Sequence, residues 1–502
     1  MLRFIKKYYL PLLAGILISL SRLPIYLGWL VFFALIPLML FFENKEHKTI
    51  DRIIGGLIFS LVQIILVFYW IGSVTFPGLI GIWLIFAVYY TISFWIIERA
   101  WHRMPGIRLL TILSVFISFE YLQNFGQMRF PWWNLGYSLT DFLPLLQALD
   151  IGGMSLLAGL IVIINYLLYQ TFKKKRRAII WIIVIFGVWW IYGSYRLLTL
   201  PMEKTDLPVA VMQPSIKQDD KWDETHYRQI LARYDDLCKA AAEEGIKMLI
   251  FPEAAIPDYL MINPHVRKDL NNLTTKHQIS IFTGFPHAER APADYPVPYY
   301  SYNAASLFSP DGSTQELYYK NILVPVGERM LWLEYFPFLW SWQFGQANWE
   351  FGTKIPRYTF QDKTFSPSIC YELAFPHFYQ RANFEDGQGN FTKADFHVNI
   401  TNDAWFGTSY GPKLHAMMTK FRAIETRTQF YRSANTGISM IVDPKGQILS
   451  STELFEITNI TAPLYYTDEI PFYHKIYRYP IIFVLISLAI FILSFIFPRR
   501  TR

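Results

Sequence analysis

The chain has 502 residues, of which 53% are hydrophobic and 18% aromatic, and its mean hydropathy is +0.22; that balance is too apolar for a soluble enzyme and makes a membrane protein the first expectation. The net charge of +7 gathers in short clusters beside apolar stretches, as in loops that face the cytoplasm, which removes the need for a nucleic-acid groove. Two cysteines exclude a disulfide scaffold.

Apolar segments run at approximately 8–21, 27–42, 54–73, 78–97, 109–124, 150–170, 178–195 and 480–497. The longer ones meet the roughly 18-residue minimum for a spanning helix, while the first, second and fifth are short. Arg3, Lys6 and Lys7 ahead of the first run also fit a signal peptide, but no A-x-A-like site follows, so a retained helix is expected. Eight spans counted from an inside N-terminus put four basic clusters on one side: Lys45, Lys48 and Arg52; Arg99, Arg103 and Arg108; residues 173–177; and Arg499, Arg500 and Arg502. That side is assigned to the cytoplasm. The opposite short loops carry little beyond Arg22 and Arg129, and the large polar region between spans seven and eight falls outside. The expected division is a transmembrane domain over 1–200, a soluble domain over 205–470 and a final transmembrane helix over 480–497.

The soluble region reads as one α/β domain. Short β-rich runs at 209–212, 248–251, 279–282, 304–308 and 397–400 alternate with helical or loop segments such as 223–244. Runs apolar on both faces imply covered sheets. Tyr227, Ile230, Leu231, Tyr234, Leu237, Cys238 and Ala241 recur at helical spacing, so Cys238 is a small core residue of one buried face. Cys370 has no such periodic context. It stands in Ser366-Pro367-Ser368-Ile369-Cys370-Tyr371-Glu372, where a short apolar strand would end, and is a candidate nucleophile.

Three stretches each place an ionisable group at the end of an expected strand: Phe251-Pro252-Glu253-Ala254-Ala255, Tyr319-Lys320-Asn321 and Ile369-Cys370-Tyr371-Glu372. Glu, then Lys, then Cys is the order found in the nitrilase superfamily, which this chain resembles. The wider motifs are more specific: Trp222-Asp223-Glu224, Pro252-Glu253-Ala254-Ala255-Ile256-Pro257, Leu323-Val324-Pro325 with Gly327-Glu328, Cys370-Tyr371-Glu372 and Asn402-Asp403-Ala404-Trp405-Phe406-Gly407. With Pro131-Trp132-Trp133 and Leu135-Gly136-Tyr137 in the membrane half, they resemble the apolipoprotein N-acyltransferase family over most of the chain. Val326, where the family often has Phe, and Leu414, where Gln is more usual, depart from its pattern.

The resemblance implies a polytopic helical membrane domain of about eight spans and an extracytoplasmic nitrilase-like αββα sandwich. It implies an acyltransferase of the bacterial inner membrane whose catalytic domain faces the periplasm, with Glu253, Lys320 and Cys370 as catalytic triad. Glu328, Glu372, Tyr371 and Trp222 match further functional positions, the two carboxylates orienting Lys320 and the two aromatic residues meeting substrate. The acyl donor would be a phospholipid such as phosphatidylethanolamine, and the acceptor a diacylglyceryl apolipoprotein. No cofactor and no metal are expected.

The chemistry of the residues agrees with that implication. A cation such as Lys320 favours a thiolate, and a desolvated Glu253 with a raised pKa would accept the thiol proton. Lys320 would then face the oxyanion of the tetrahedral intermediate. Taking an acyl chain from a bilayer lipid brings the nucleophile to the interface, where Trp132, Trp133 and the stretch Tyr473, His474, Lys475, Tyr477, Arg478 and Tyr479 are expected at headgroup level. Gly407-Thr408-Ser409-Tyr410-Gly411 fits G-x-S-x-G with His415 nearby, but Pro412 interrupts and the acid does not precede a distant histidine, so a loop is the better reading. H-E-x-x-H is absent, and the ten histidines show no metal-ligand spacing. Two alternatives stand: a membrane-anchored nitrilase-type amidase acting on a small amide, and a transporter or scaffold whose outer domain only binds. The spans hold few charges of the kind that mark transport paths, Glu120 being one.

Overall fold

The computed structural model describes residues 2–221, 224–342, 347–386 and 388–498, and it divides into two compact units, Met1–Thr199 with Phe472–Arg502, and Leu200–Pro471. Trp222, Asp223, Arg499, Arg500 and Arg502 lie outside the described residues.

In the first unit every apolar segment becomes helical, as backbone groups must in hydrocarbon. Among the described residues six helices are long and apolar enough to cross a membrane: Phe4–Arg22, Thr49–Val67, Phe76–Arg103, Pro105–Leu122, Leu149–Phe172 and Arg177–Thr199. Two shorter apolar helices cover Gly28–Glu43 and Ile481–Ile496. The runs at 8–21 and 109–124 reach spanning length because residues 4–7 and the turn 105–107 with Arg108 continue them at their N-terminal ends. Arg177–Thr199 buries little besides Ala178, Trp189 and Gly193, and leaves Ile180, Ile183, Val188 and Ile191 exposed, an outline suited to lipid.

Helix Leu149–Phe172 is kinked where Gly153 takes φ +59. A Cβ there would lie 2.4 Å from the Tyr473 ring, so the position admits only glycine. Tyr473 is buried, and the Tyr479 hydroxyl donates to the Gly152 carbonyl at 3.0 Å. Trp132 and Trp133 are also buried, Trp133 with its ring 4.6 Å from Phe86 and 4.9 Å from Phe68. Tyr473, Trp132 and Trp133 therefore belong to the core of the helical unit and not to a lipid-facing belt, while Tyr479 is half-buried beside them. Arg22 is likewise no loop charge: its guanidinium donates to the Trp132 carbonyl and stands 5.6 Å from the rings of Trp133 and Tyr137. Glu120 is buried and accepts from the Leu135 N–H at 2.6 Å.

The second unit contains strands β1 (Glu203–Thr205), β2 (Val209–Gln213), β3 (Met248–Ile250), β4 (Ser280–Arg290), β5 (Tyr299–Phe308), β6 (Tyr318–Tyr319), β7 (Tyr358–Phe360), β8 (Lys363–Ile369), β9 (Phe396–Thr401), β10 (Gln429–Ala434), β11 (Met440–Val442), β12 (Ile448–Ser451), β13 (Thr458–Thr461) and β14 (Leu464–Tyr466). One six-stranded sheet has the order β13-β2-β3-β4-β5-β6 and the other β12-β11-β10-β9-β8-β7, while β1 pairs with β14. The sheets meet face to face: the Phe282 ring lies 5.4 Å from Phe365 and 5.3 Å from Tyr358, and the Ser433 hydroxyl donates to the Met212 carbonyl at 2.8 Å. Helices Tyr227–Glu243 and Pro264–His277 cover the first sheet, burying Tyr234, Leu237, Cys238, Val266 and Leu270 against Met212, Leu249 and Ile281. Helices Pro376–Ala382 and Gly411–Thr426 flank the second, with the Tyr379 ring edge-on to His397 at 4.8 Å and tilted against Phe430 at 5.4 Å. A helix layer outside each of two packed sheets explains why the central strands are apolar on both faces. Cys238 sits in the buried helical face read from its spacing, and burial pushes its thiol up to about 12, so it is inert.

Candidate active site

The parallel pairing of β8 with β9 brings Ile369 opposite Ile400, so Cys370 leaves the sheet beside Thr401, the last residue of β9. Glu253 follows β3 of the facing sheet and Lys320 follows β6. The four chain exits meet at one edge of the sandwich, and the side chains there are almost all buried.

Lys320 is 1% exposed and joins two carboxylates, with Nζ 3.3 Å from Glu253 Oε1 and 2.8 Å from Glu328 Oε1. Burial alone would favour the neutral amine, but Glu253 and Glu328 outweigh it and hold the ammonium charged. Glu253 Oε1 also accepts from Asn303 Nδ2 at 2.7 Å, and Oε2 accepts from the Asn402 N–H at 2.9 Å. Burial pushes its carboxyl up, but Lys320, Asn303, Lys221 and the Asn402 N–H together pull it below the ordinary carboxylate range. The raised Glu253 pKa expected from desolvation is therefore replaced by a lowered one, because four partners favour the anion. The raised group is Glu328: partly buried, and facing the Glu253 anion across one shared cation, its carboxyl lies above the usual range. Its Oε2 accepts from the Val324 N–H at 2.7 Å.

Cys370 is partly buried with φ +50, a left-handed backbone uncommon for a side-chain-bearing residue. Burial and then the Glu253 anion push its thiol well above the ordinary value, and Lys320 only partly opposes them. The expectation that the lysine would favour a resting thiolate is thus corrected. Burial and the Glu253 anion outweigh the Lys320 charge, and the thiol stays protonated beside an ionised carboxylate.

Glu372 is fully buried and does not bond Lys320. Its Oε1 accepts from the N–H groups of Asn321 and Ile322 at 2.6 and 3.1 Å, and Oε2 from the Ile369 N–H at 2.7 Å and the Tyr318 hydroxyl at 2.6 Å. It ties the loop after Lys320 to the turn at Cys370. Burial pushes its carboxyl up to about 7 against the pull of these donors. Tyr371 is buried with its ring 5.1 Å from Phe375. Trp222 lies outside the described residues.

Reading by sequence alone passed over several groups here. Lys221 is buried and donates from Nζ to the Glu253 carbonyl at 3.0 Å; burial brings it down to about 8. It adjoins Trp222-Asp223, a motif already singled out, so adjacency was the available signal. Asn303 sits in a strand of unremarkable composition and carried none. Ser409 occupies a turn, its hydroxyl donating to the Phe406 carbonyl at 2.7 Å, in agreement with the loop reading of G-x-S-x-G. His415 and Asp403 belong instead to a buried network behind Cys370. Asp403 Oδ1 lies 2.9 Å from His415 Nδ1, and Oδ2 accepts from Arg432 Nη2 at 2.7 Å. Arg432 and His415 hold the Asp403 carboxyl down at about 2 although burial opposes them.

Family models match this chain twice: carbon-nitrogen hydrolase over residues 208–467, and the apolipoprotein N-acyltransferase N-terminal domain over residues 14–167. Among curated relatives, the apolipoprotein N-acyltransferase of Geobacter metallireducens is 28% identical over 94% of this chain and 91% of its own length. That of Chlorobaculum tepidum is 28% identical over 93% and 92%. That of Rickettsia typhi is 31% identical over 77% of each chain.

Proposed function

Since the chain belongs to the apolipoprotein N-acyltransferase family, we propose that it transfers an acyl chain from a phospholipid to the α-amino group of a diacylglyceryl-cysteine on an apolipoprotein, through a thioester on Cys370. Residues 205–470 form the catalytic domain in this reading, and 1–200 with 480–497 anchor it in the bacterial cytoplasmic membrane. The positive-inside distribution of Lys and Arg supports a periplasmic catalytic side.

In the first half-reaction Cys370 Sγ attacks the ester carbonyl while its proton passes to the Glu253 carboxylate. A protonated thiol beside an anionic base favours proton transfer as the S–C bond forms, not before. The oxyanion faces Lys320, whose charge its two carboxylates preserve. The C–O bond then breaks, Glu253 returns the proton to the leaving oxygen, and a lysophospholipid departs. In the second half-reaction the neutral α-amine attacks the thioester. The C–N bond forms, the C–S bond breaks, and the proton lost by nitrogen restores the thiol by way of Glu253. Glu328 steadies Lys320; Glu372 holds the backbone on either side; Tyr371 and Trp222 keep their assignment to the substrate-binding region.

The observation that carries this reading is the convergence of Glu253 and Glu328 on a buried Lys320 whose charge also acts on the Cys370 thiol. Incubation with phospholipid alone should leave one acyl adduct on Cys370 by intact-mass analysis, lost in Cys370→Ala and kept in Cys238→Ala. N-acylation undiminished in Cys370→Ala would sink the mechanism. Donor label recovered only as free fatty acid would favour the amidase-type alternative.

A further inference from the structure

Cys370, Asp403 and His415 bring a thiol sulfur, a carboxylate oxygen and a ring nitrogen within 4.8 Å of one another. These are the residue types of a Cys-His-Asp triad, in which the imidazole would take the thiol proton. The hydrogen bonds give His415 different work. Its Nε2 lies 3.2 Å from the Cys370 carbonyl oxygen. A carbonyl only accepts, so Nε2 carries a proton in this contact. In the neutral ring Nδ1 is then the acceptor and takes a hydrogen bond from Arg432 Nη2 at 3.1 Å, with Asp403 Oδ1 2.9 Å away and its carboxylate held there by the same guanidinium. Both ring nitrogens are committed, and neither is a free acceptor for the thiol. Metal binding fares no better, since a cation among these atoms would meet the Arg432 guanidinium already seated on Asp403.

The rest of the network is built to hold this ring still. Asp403 Oδ1 accepts from the Thr401 hydroxyl at 2.9 Å, and Arg432 Nη1 donates to Asn399 Oδ1 at 2.7 Å across the register of β10 with β9. A Cβ on residue 437 would come 2.5 Å from Asp403 Oδ2, so Gly437 leaves the room the ion pair occupies. Asp403, His415 and Arg432 are each at most 1% exposed. What the ring grips is the carbonyl of a residue at φ +50. A left-handed backbone is disfavoured for an L residue and persists where its surroundings over-determine it.

We infer that His415, oriented by Asp403 and Arg432, is a positioning residue whose Nε2–H holds the Cys370 carbonyl and with it the backbone that aims the thiol. Glu372 grips the preceding peptide through the Ile369 N–H, so the two contacts bracket the nucleophile. The inference rests on Cys370 being the nucleophile.

The test follows the rate of thioester formation on the full-length chain in detergent, by time-resolved intact mass with phospholipid as the only substrate. The wild type must first form the adduct on Cys370; its absence would count against the proposed function before any variant is compared. His415→Ala removes the donor and should slow thioester formation about 10- to 100-fold with KM for phospholipid unchanged, as expected for a misplaced nucleophile. His415→Gln places an amide N–H where Nε2–H stood and should recover to within about fivefold of the wild-type rate, since it restores the hydrogen bond without a titratable ring. If Ala does not fold, Gln decides alone. A folded Gln variant as slow as Ala would make the imidazole a proton carrier and overturn the inference. Two variants at the wild-type rate would also overturn it, as would a Gln variant that fails to fold, which would assign the ring to stability alone.

Discussion

Glu372→Gln tests how much of the site depends on a carboxylate whose two oxygens are taken up by internal donors. Glu372 accepts four hydrogen bonds, two at each oxygen. An amide keeps one oxygen and turns the other into a donor. Placed at the Oε1 position, its NH2 would oppose two backbone N–H groups, those of Asn321 and Ile322. Placed at Oε2, it would oppose the Ile369 N–H only, since the Tyr318 hydroxyl can rotate to accept. The second orientation is cheaper and leaves one buried backbone donor unmet, at about 1–3 kcal/mol. For a unit of this size the melting temperature should fall by roughly 2–12 °C. Glu372→Ala strands all four donors, a loss on the order of 4–12 kcal/mol, comparable to the whole stability of a typical domain. The stranded groups flank Lys320 and Cys370, so thioester formation in the Gln variant should slow by up to about 100-fold even where the protein is folded. Thermal unfolding in detergent and the mass of the acyl adduct read the two effects separately. A Gln variant with wild-type melting temperature and acylation rate would refute the reasoning, and so would an Ala variant that unfolds at the wild-type temperature.

Three further outcomes are expected. Glu372 has a folded pKa of about 7 against about 4.3 unfolded, so its contribution is fully present below the unfolded value and is lost as pH rises from there through the folded value; the stability advantage of wild type over Glu372→Gln, followed by thermal unfolding, should narrow between about pH 4.3 and 7 and level off above, and a gap that widens would contradict the assignment. Lys221→Met removes a cation that helps hold Glu253 ionised; because the base works as its anion, acylation fails as pH falls through the Glu253 pKa, and the acidic limb of the rate profile should move upward in the variant. An unmoved limb would show that Lys221 does not act on the base. Gly153→Ala forces a Cβ against Tyr473 at φ +59 and should destabilise the helical unit by about 2–4 kcal/mol, read as a lower melting temperature; unchanged melting would mean that the kink is dispensable.

Much of this molecule was legible in its sequence. Apolar runs had to become helices because hydrocarbon offers no partner for a bare backbone, and all eight did. The buried face around Cys238 followed from helical spacing. The central strands were visible as short runs apolar on both faces, although β4 and β5 extend well beyond the 279–282 and 304–308 runs, because their polar outer halves pair only with each other. The order of Glu253, Lys320 and Cys370 was likewise a matter of linear pattern.

Charge state was not. Whether Glu253 sits above or below its ordinary pKa depends on Asn303, Lys221 and the Asn402 N–H, which come from distant parts of the chain and oppose burial only when packed together. Trp132, Trp133 and Arg22 carry the composition of an interface yet lie in a core, since neighbouring helices decide which faces meet lipid. His415 looked like part of a serine-hydrolase decoy and proved to hold the cysteine carbonyl. Periodicity and motif order are properties of the chain, so the sequence by itself determined the elements, the two units' composition and the order of Glu253, Lys320 and Cys370 along it. Desolvation, shared cations and hydrogen bonds between strand ends arise only across space, so the tertiary structure alone decided which carboxyl is pulled down and which pushed up, where the thiol proton rests and what grips the backbone at Cys370.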